Sequence, residues 1–461
     1  MNFNFIEEQK KLLYSFLDIH CFRNWRIPPS KRTGEEYVNL LEMMVSPVCN
    51  TACTYCYMKN YADSLYPCFY DKNSLLNNCK KIMTWLKKEN FYPSSIEIFS
   101  GEFFNLPFWK DYLQIIYDSL EKMEEGKKVP IVIPTNGTFF DSEKKTQEIQ
   151  DYFDRVYKKG FIIVLSLSVD GYYLDNDTRP FRDKRRYTED FYDRMFRFGA
   201  RNLIKYHPMI GAKGIERWVD NFDWYVENIQ KYYKIPKKEA LEKLYLLEVR
   251  NPDWSTKELK DFKVFLNHII DVLFEGCTSP EEKFNLLLSN TLNILAPLVV
   301  TIGRGLPCSF QQCLDLRVGD LALVQCHRTA YSELLGGYFK ISDKGELDLD
   351  VRNANSYIFS NSFNFKHLAK CIDCPISSLC NGPCLGCNYE VNRDLYTVVP
   401  TVCDLEYTKA LTLVERAYQE GFLDSILEIH SNSTSSDSVL KKNQLLHLKK
   451  YLEIKNTKGD F

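Results

Sequence analysis

Three cysteines lie close together near the start of the chain, Cys49, Cys53 and Cys56 in the string SPVCNTACTYCYMKNY, a C-x3-C-x2-C array. Thiolates are soft ligands, and three on one short loop can hold three irons of a [4Fe–4S] cube while the fourth iron stays open. An open corner is what a cluster needs if it is to bind a substrate or a cofactor. A zinc site would want four ligands and a second knuckle, and no Cys or His is close enough in sequence to supply one.

Sixteen cysteines is the unusual number in the composition of this 461-residue chain. Nine fall between 308 and 403: Cys308, Cys313, Cys326, Cys371, Cys374, Cys380, Cys384, Cys387 and Cys403. The dense part is C-x2-C-x5-C-x3-C across Cys371, Cys374, Cys380 and Cys384, with Cys387 to spare. Eight thiols in two interleaved sets can close two four-ligand sites, either iron–sulfur clusters or, as the alternative, two zinc ribbons. Cys21, Cys68, Cys79 and Cys277 read as ordinary buried or half-buried thiols.

The elements that must position these residues alternate. Short apolar runs at 40–45, 95–100, 129–135, 161–169, 203–210 and 241–249 read as strands, with helical patterns near 74–89, 107–125, 143–157, 186–199 and 215–232 between them. Strand–helix units at this spacing predict an α/β fold, a partial (β/α)6 TIM-like barrel over 40–255. The active site of such a barrel lies at the C-terminal ends of its strands, where the first cysteine loop falls. Residues 1–39 predict a helical extension, 256–300 connecting helices, 301–410 a small cysteine-rich domain and 411–461 a C-terminal helical tail, with SNSTSSDS at 431–438 as a linker.

Cys49, Cys53 and Cys56, with the aromatic Tyr55 before the last, resemble the signature of the radical S-adenosylmethionine (SAM) superfamily. The resemblance continues along the predicted barrel. Ser100-Gly101-Glu102 stands where the family often has Gly-Gly-Glu, the Ser being a departure. Thr135-Asn136-Gly137 is similar to a motif of peptide-modifying members. Ser168, Asp170 and Gly171 match Ser-x-Asp-Gly, with Arg179 following. It implies that the open iron chelates SAM, whose reductive cleavage gives a 5′-deoxyadenosyl radical. Tyr55, Ser100, Gly101, Glu102, Asn136, Ser168, Asp170 and Arg179 are the implied SAM contacts, although Arg182, Arg185 and Arg186 compete with Arg179 for the carboxylate.

The C-terminal cysteines resemble the SPASM domain, the auxiliary-cluster module of radical SAM peptide and protein maturases. That resemblance implies one cluster on Cys308, Cys313, Cys326 and Cys384 and an outer one on Cys371, Cys374, Cys380 and Cys403, hence three [4Fe–4S] clusters. Gly319 lies seven positions before Cys326 instead of the family's five, and Cys387 has no family role. A substrate radical that forms a new bond must lose an electron, so auxiliary clusters imply an oxidative outcome.

With 59 basic and 61 acidic residues, the chain carries a formal charge of −2 and no broad field for nucleic acid. No stretch approaches the roughly 20 apolar residues of a membrane span, and MNFNFIEEQKK lacks the marks of an export signal, so the expected setting is the cytoplasm. The leading expectation is a maturase that installs a crosslink or thioether in a ribosomally made peptide. The alternatives are a sulfatase-maturing, formylglycine-forming enzyme and a radical dehydrogenase of a small alcohol. An external one-electron reductant of flavodoxin or ferredoxin type is implied. Because the 39-residue extension is too short for the leader-binding domain that many such maturases carry, the expectation is that a leader is bound by a separate protein, by the barrel itself, or not at all, which makes a separate leader-binding protein a candidate partner. At the ends of the last two strands His207, Glu248, Arg250 and Asp253 are candidate catalytic groups and Trp254 a substrate-facing ring; the alternative is a core histidine and an internal Glu248–Arg250 ion pair.

Overall fold

A computed structural model describes residues 3–33, 39–58, 71–99, 101–289, 292–298, 313–362, 368–380, 382–432 and 435–457. Its strands, numbered along the chain, are β1 (Leu40–Met44), β2 (Ile96–Phe99), β3 (Ile131–Thr135), β4 (Ile163–Leu167), β5 (Ile204–Tyr206), β6 (Met209–Ile210), β7 (Leu247–Glu248), β8 (Cys313–Arg317), β9 (Ala322–Val324), β10 (Leu335–Ile341) and β11 (Leu347–Val351). In β2, β3 and β4 fully buried residues alternate with half-buried ones. Ile96, Ile98, Ile131, Ile133, Ile163, Leu165 and Leu167 share the apolar face, as the two-residue period of a strand requires.

Two compact units form. The first takes in residues 1–169, 179–206 and 308–363. Its nine-stranded sheet runs β11-β10-β9-β8-β1-β2-β3-β4-β5, with β1 to β5 parallel and β8 parallel to β1. Helices Lys72–Glu89, Trp109–Leu120, Glu143–Lys158 and Glu189–Gly199 connect the successive parallel strands. Polar side chains start three of them: Asp71, Ser142 and Thr188 each accept a backbone N–H of the first turn. Beyond β8 the sheet turns antiparallel through β9, β10 and β11. The N-terminal extension is helical and tied to this unit by Phe22 and Trp25, which pack on Trp85 and Phe91 while Trp25 Nε1 donates to the Asn39 carbonyl at 2.7 Å. Burying each such ring contributes about 2–3 kcal/mol, enough to fix the extension.

The second unit takes in residues 170–178, 207–307 and 364–461. It is mainly helical, with Trp218–Tyr233, Thr256–Phe274, Pro280–Ser289, Pro400–Gln419, Leu423–Ser431 and Ser436–Thr457, and it holds the two-stranded parallel pair β6-β7.

The α/β class and its parallel core agree with the sequence, but the strand expected over 203–210 breaks at His207-Pro208. Pro208 has no N–H for a ladder, and the Met209 N–H donates to Asp170 Oδ1 at 3.0 Å instead of to a neighbouring strand. The sixth strand, expected over 241–249, contracts to Leu247–Glu248, with Lys237–Leu241 helical before it. Among the described residues no helix is long and apolar enough to cross a membrane.

Candidate active site

Cys49, Cys53 and Cys56 lie in the loop that leaves the C-terminal end of β1. The loop is held on one side by backbone bonds to the segment after Arg179: Ala52 N–H to the Pro180 carbonyl at 2.8 Å and Arg182 N–H to the Asn50 carbonyl at 2.9 Å. The Thr51 hydroxyl sits between two thiols, 3.2 Å from Cys49 Sγ and 3.5 Å from Cys53 Sγ. Burial and the neighbouring Cys53 push the Cys56 thiol up to about 11, and burial raises Cys49 against the pull of Thr51. Buried thiols packed this closely are favoured as thiolates only with a cation among them.

On another side the turn after β2 closes in. A Cβ at Gly101 would lie 2.3 Å from the Val48 carbonyl oxygen and 2.5 Å from that of Pro47, so only glycine permits the approach. Gly101 N–H donates to the Ser46 carbonyl at 2.6 Å and Glu102 N–H to that of Val48 at 2.8 Å. Ser100 lies outside the described residues. The buried Glu102 carboxylate accepts the Asn136 N–H at 2.7 Å, the Thr135 hydroxyl at 2.8 Å and the Phe104 N–H at 3.1 Å. Three of its roughly four acceptor positions are thereby used, and it braces β2 against β3. Asn136 reaches the loop directly, its Nδ2 lying 3.0 Å from Asn50 Oδ1 and 3.5 Å from Cys49 Sγ.

The structure separates the four arginines that the sequence left equivalent. Arg179, 5% exposed, donates to the Tyr55 hydroxyl at 2.7 Å and sits over that ring. Arg182 holds the Cys49 carbonyl, and Arg185 pairs with Asp141 and Asp183. Ser168 is half-buried after β4, its N–H on the Thr135 carbonyl at 2.8 Å. Asp170, expected beside it as a cofactor contact, spends its carboxylate within the second unit on the Thr178 hydroxyl at 2.7 Å and the Met209 N–H.

Of the C-terminal cysteines, Cys308 lies outside the described residues. Cys313 opens β8 and Cys326 follows β9; the β8–β9 register pairs Asp315 with Val324, and two further steps would set Cys313 opposite Cys326. In the second unit, Cys371, Cys374 and Cys403 come together: burial, Cys403 and Cys374 push the Cys371 thiol up to about 11. Cys374 N–H donates to the Cys371 carbonyl at 3.3 Å, and Gly382 N–H points at Cys380 Sγ at 3.1 Å. Gln444 of the last long helix braces this knuckle, donating to the Cys374 carbonyl at 2.9 Å and accepting from Ser378. Cys387, fully buried, packs with Cys384, Val399 and Val402.

The expected substrate residues fare differently. Trp254 is buried, with Nε1 donating to the Val249 carbonyl at 2.8 Å and its ring on Phe262, so it is a core residue and not a substrate-facing ring. Glu248 and Arg250 form an internal ion pair with Glu406 and Lys409. Asp253 is exposed and bonded to Asn251, and the His207 ring lies edge-on to Tyr245.

Sequence reasoning missed a row of acids. Asp315, Glu42 and Glu97 are in register across β8, β1 and β2, with Glu42 3.5 Å from His327 Nδ1. Burial and Glu42 push the Glu97 carboxyl up to about 7. The signal was present, since LLEMM, IEIF and CLDLR each carry one acid inside an apolar strand. Thr51 and Gln444 carried no such mark.

No family model matches the chain. Among curated proteins it is similar to the radical SAM cyclopropyl synthase TigE of Paramaledivibacter caminithermalis, at 22% identity over 403 residues, 83% of this chain and 75% of that protein. Among solved structures it is similar to anSMEcpe with bound AdoMet and Cp18Cys peptide, with a TM-score of 0.50 and 15% identity over 82% of this chain and 99% of that one. The anSMEcpe structure with AdoMet and Kp18Cys peptide matches equally, at a TM-score of 0.50 and 14% identity over the same shares. The likeness first read from a cysteine loop and a string of turn motifs thus recurs over 83% of the chain in sequence, beside a likeness of fold, and on these grounds the chain resembles radical SAM enzymes.

Proposed function

We propose that the chain is a radical SAM enzyme that modifies a ribosomally made peptide oxidatively, installing a crosslink or thioether. The observation that carries this reading is the convergence of Cys49, Cys53 and Cys56 at the end of β1, with Thr51 between two of the sulfurs and Asn136, Gly101 and the Tyr55–Arg179 pair around them. The donor set fits a three-thiolate cluster: Cys53 is buried, Cys49 and Cys56 are half-buried, and Cys56 lies within electrostatic reach of both other thiols. Bound there, a [4Fe–4S] cluster with SAM supplies a 5′-deoxyadenosyl radical able to take hydrogen from an unactivated carbon.

The chain's own residues prepare that site. Tyr55 and Arg179 provide a buried cation and hydroxyl beside Cys56, suited to the SAM carboxylate, and Ser168 is a second polar group for it. Gly101 keeps the β2 turn against the cysteine loop, so that its backbone edge and the acceptor capacity left on Glu102 can meet an ammonium group. Asp170 ties Thr178 and Met209 together within the second unit. Cys371, Cys374, Cys380 and Cys403 would hold an outer cluster, and Cys308, Cys313, Cys326 and Cys384, assigned by resemblance, another. Both would supply one-electron transfer for an oxidative outcome. A flavodoxin- or ferredoxin-like protein would deliver the initiating electron.

The test is anaerobic reconstitution, which should give about twelve irons per chain. Replacing Cys49, Cys53 and Cys56 together by Ala should remove about four of them and abolish 5′-deoxyadenosine formation. Retained SAM cleavage in that variant sinks the reading. A small peptide encoded beside the gene should lose hydrogen mass when incubated with the enzyme, SAM and a reductant.

A further inference from the structure

Four ionisable side chains that the proposed chemistry leaves unused are buried together in the second unit. Lys409 Nζ lies 2.5 Å from Glu248 Oε1 and 3.2 Å from Glu406 Oε2; Arg250 lies 2.9 Å from Glu406 Oε1 and 3.4 Å from Glu248 Oε1. Side-chain exposure is 1% for Lys409 and Glu406, 3% for Glu248 and 14% for Arg250. The group comprises two acids and two bases. Against burial, Lys409 and Arg250 hold the Glu248 carboxyl down to about 2, while Glu248 and Glu406 keep the Lys409 ammonium charged. Such a group is a poor source of stability, because desolvating four charges offsets most of their attraction and apolar residues of like volume often serve as well.

Its placement suggests another role. Glu406 and Lys409 follow Cys403 by one and two turns of the helix Pro400–Gln419. The Cys380 thiol is within electrostatic reach of Glu406, Arg250 and Lys409, and the Cys403 thiol of Glu406. Of the four thiols proposed to hold the outer cluster, Cys380 thus has three members of the quartet in its charge environment and Cys403 has one, Glu406, on its own helix.

We propose that the Glu248–Arg250–Glu406–Lys409 quartet sets the reduction potential of the cluster held by Cys371, Cys374, Cys380 and Cys403, an inference that rests on the functional reading above. Reduction adds one negative charge to the cluster. A nearby buried cation favours the reduced form and raises the potential, a buried anion lowers it, and burial weakens the screening of either. Because the quartet sums to zero, deleting one member leaves a unit charge of known sign. Lys409→Met leaves a net negative charge and lowers the potential, Glu406→Gln leaves a net positive charge and raises it, and the double variant returns close to wild type.

The experiment is a potentiometric titration of the anaerobically reconstituted full-length chain, followed by EPR, with iron content measured first. Opposite shifts in the two single variants, confined to one cluster, support the proposal. Unchanged potentials, or shifts of the same sign, overturn it, since a purely structural role would loosen the site in both variants alike. Should Lys409→Met fail to load, Glu248→Gln, which changes the quartet from a different element, must still raise the potential, and an unmoved value there is equally fatal. Failure of the wild-type chain to take up the outer cluster at all would remove the functional reading and this inference with it, and the iron content tells that case apart.

Discussion

Replacing Gly101 by Ala puts the bracing of the cysteine loop to a quantitative test. The added Cβ would stand 2.3 Å from the Val48 carbonyl oxygen, a backbone atom that cannot rotate away, and such contacts are not found below 3.0 Å. The turn after β2 and the cysteine loop must therefore part by at least 3.0 − 2.3 = 0.7 Å. A shift of that size lengthens Gly101 N–H to Ser46 O from 2.6 to about 3.3 Å and Glu102 N–H to Val48 O from 2.8 to about 3.5 Å, the limit of a useful bond. Losing most of two buried backbone bonds costs about 2 kcal/mol. A misplacement approaching 1 Å between groups that hold a cofactor costs about tenfold to a hundredfold in rate. We expect anaerobic 5′-deoxyadenosine formation to fall by that factor in Gly101→Ala, with iron content largely retained and denaturant stability lower by about 2 kcal/mol. A variant that cleaves SAM at the wild-type rate would refute the argument that this close approach positions the site.

Thr51→Val removes the hydroxyl between Cys49 and Cys53; chelator competition should show iron held about tenfold more weakly at the first loop, with Thr51→Ser close to wild type. Glu97 carries a carboxyl raised to about 7, so the folded protein keeps a proton that the unfolded chain releases, and stability falls as pH rises from 4.5 through about 7. Glu97→Gln should therefore gain up to about 3 kcal/mol over wild type above pH 7 and nothing below pH 4.5. Urea titrations giving the same difference at both ends would contradict this. Cys387→Ala should keep the full iron content and lose about 1 kcal/mol of stability, as expected for a core thiol packed on Val399 and Val402; loss of about four irons would make Cys387 a ligand.

The sequence by itself determined what is written in local patterns. The two-residue alternation of IEIF and IVIPT and the spacing of Cys49, Cys53 and Cys56 depend only on backbone geometry and on which side chains can bind iron, and both are legible from neighbouring positions. Tertiary structure decided whatever depends on partners far along the chain. Trp254 is core because the Val249 carbonyl and Phe262 enclose it, and Glu248 and Arg250 are an ion pair because Glu406 and Lys409 arrive from more than a hundred residues away. Arg179 stands out from its three neighbours only where it meets Tyr55, and the strand over 203–210 breaks because Asp170 takes the Met209 N–H. Burial and charge pairing are properties of the assembled chain, so no window of sequence, however suggestive its motifs, contains them.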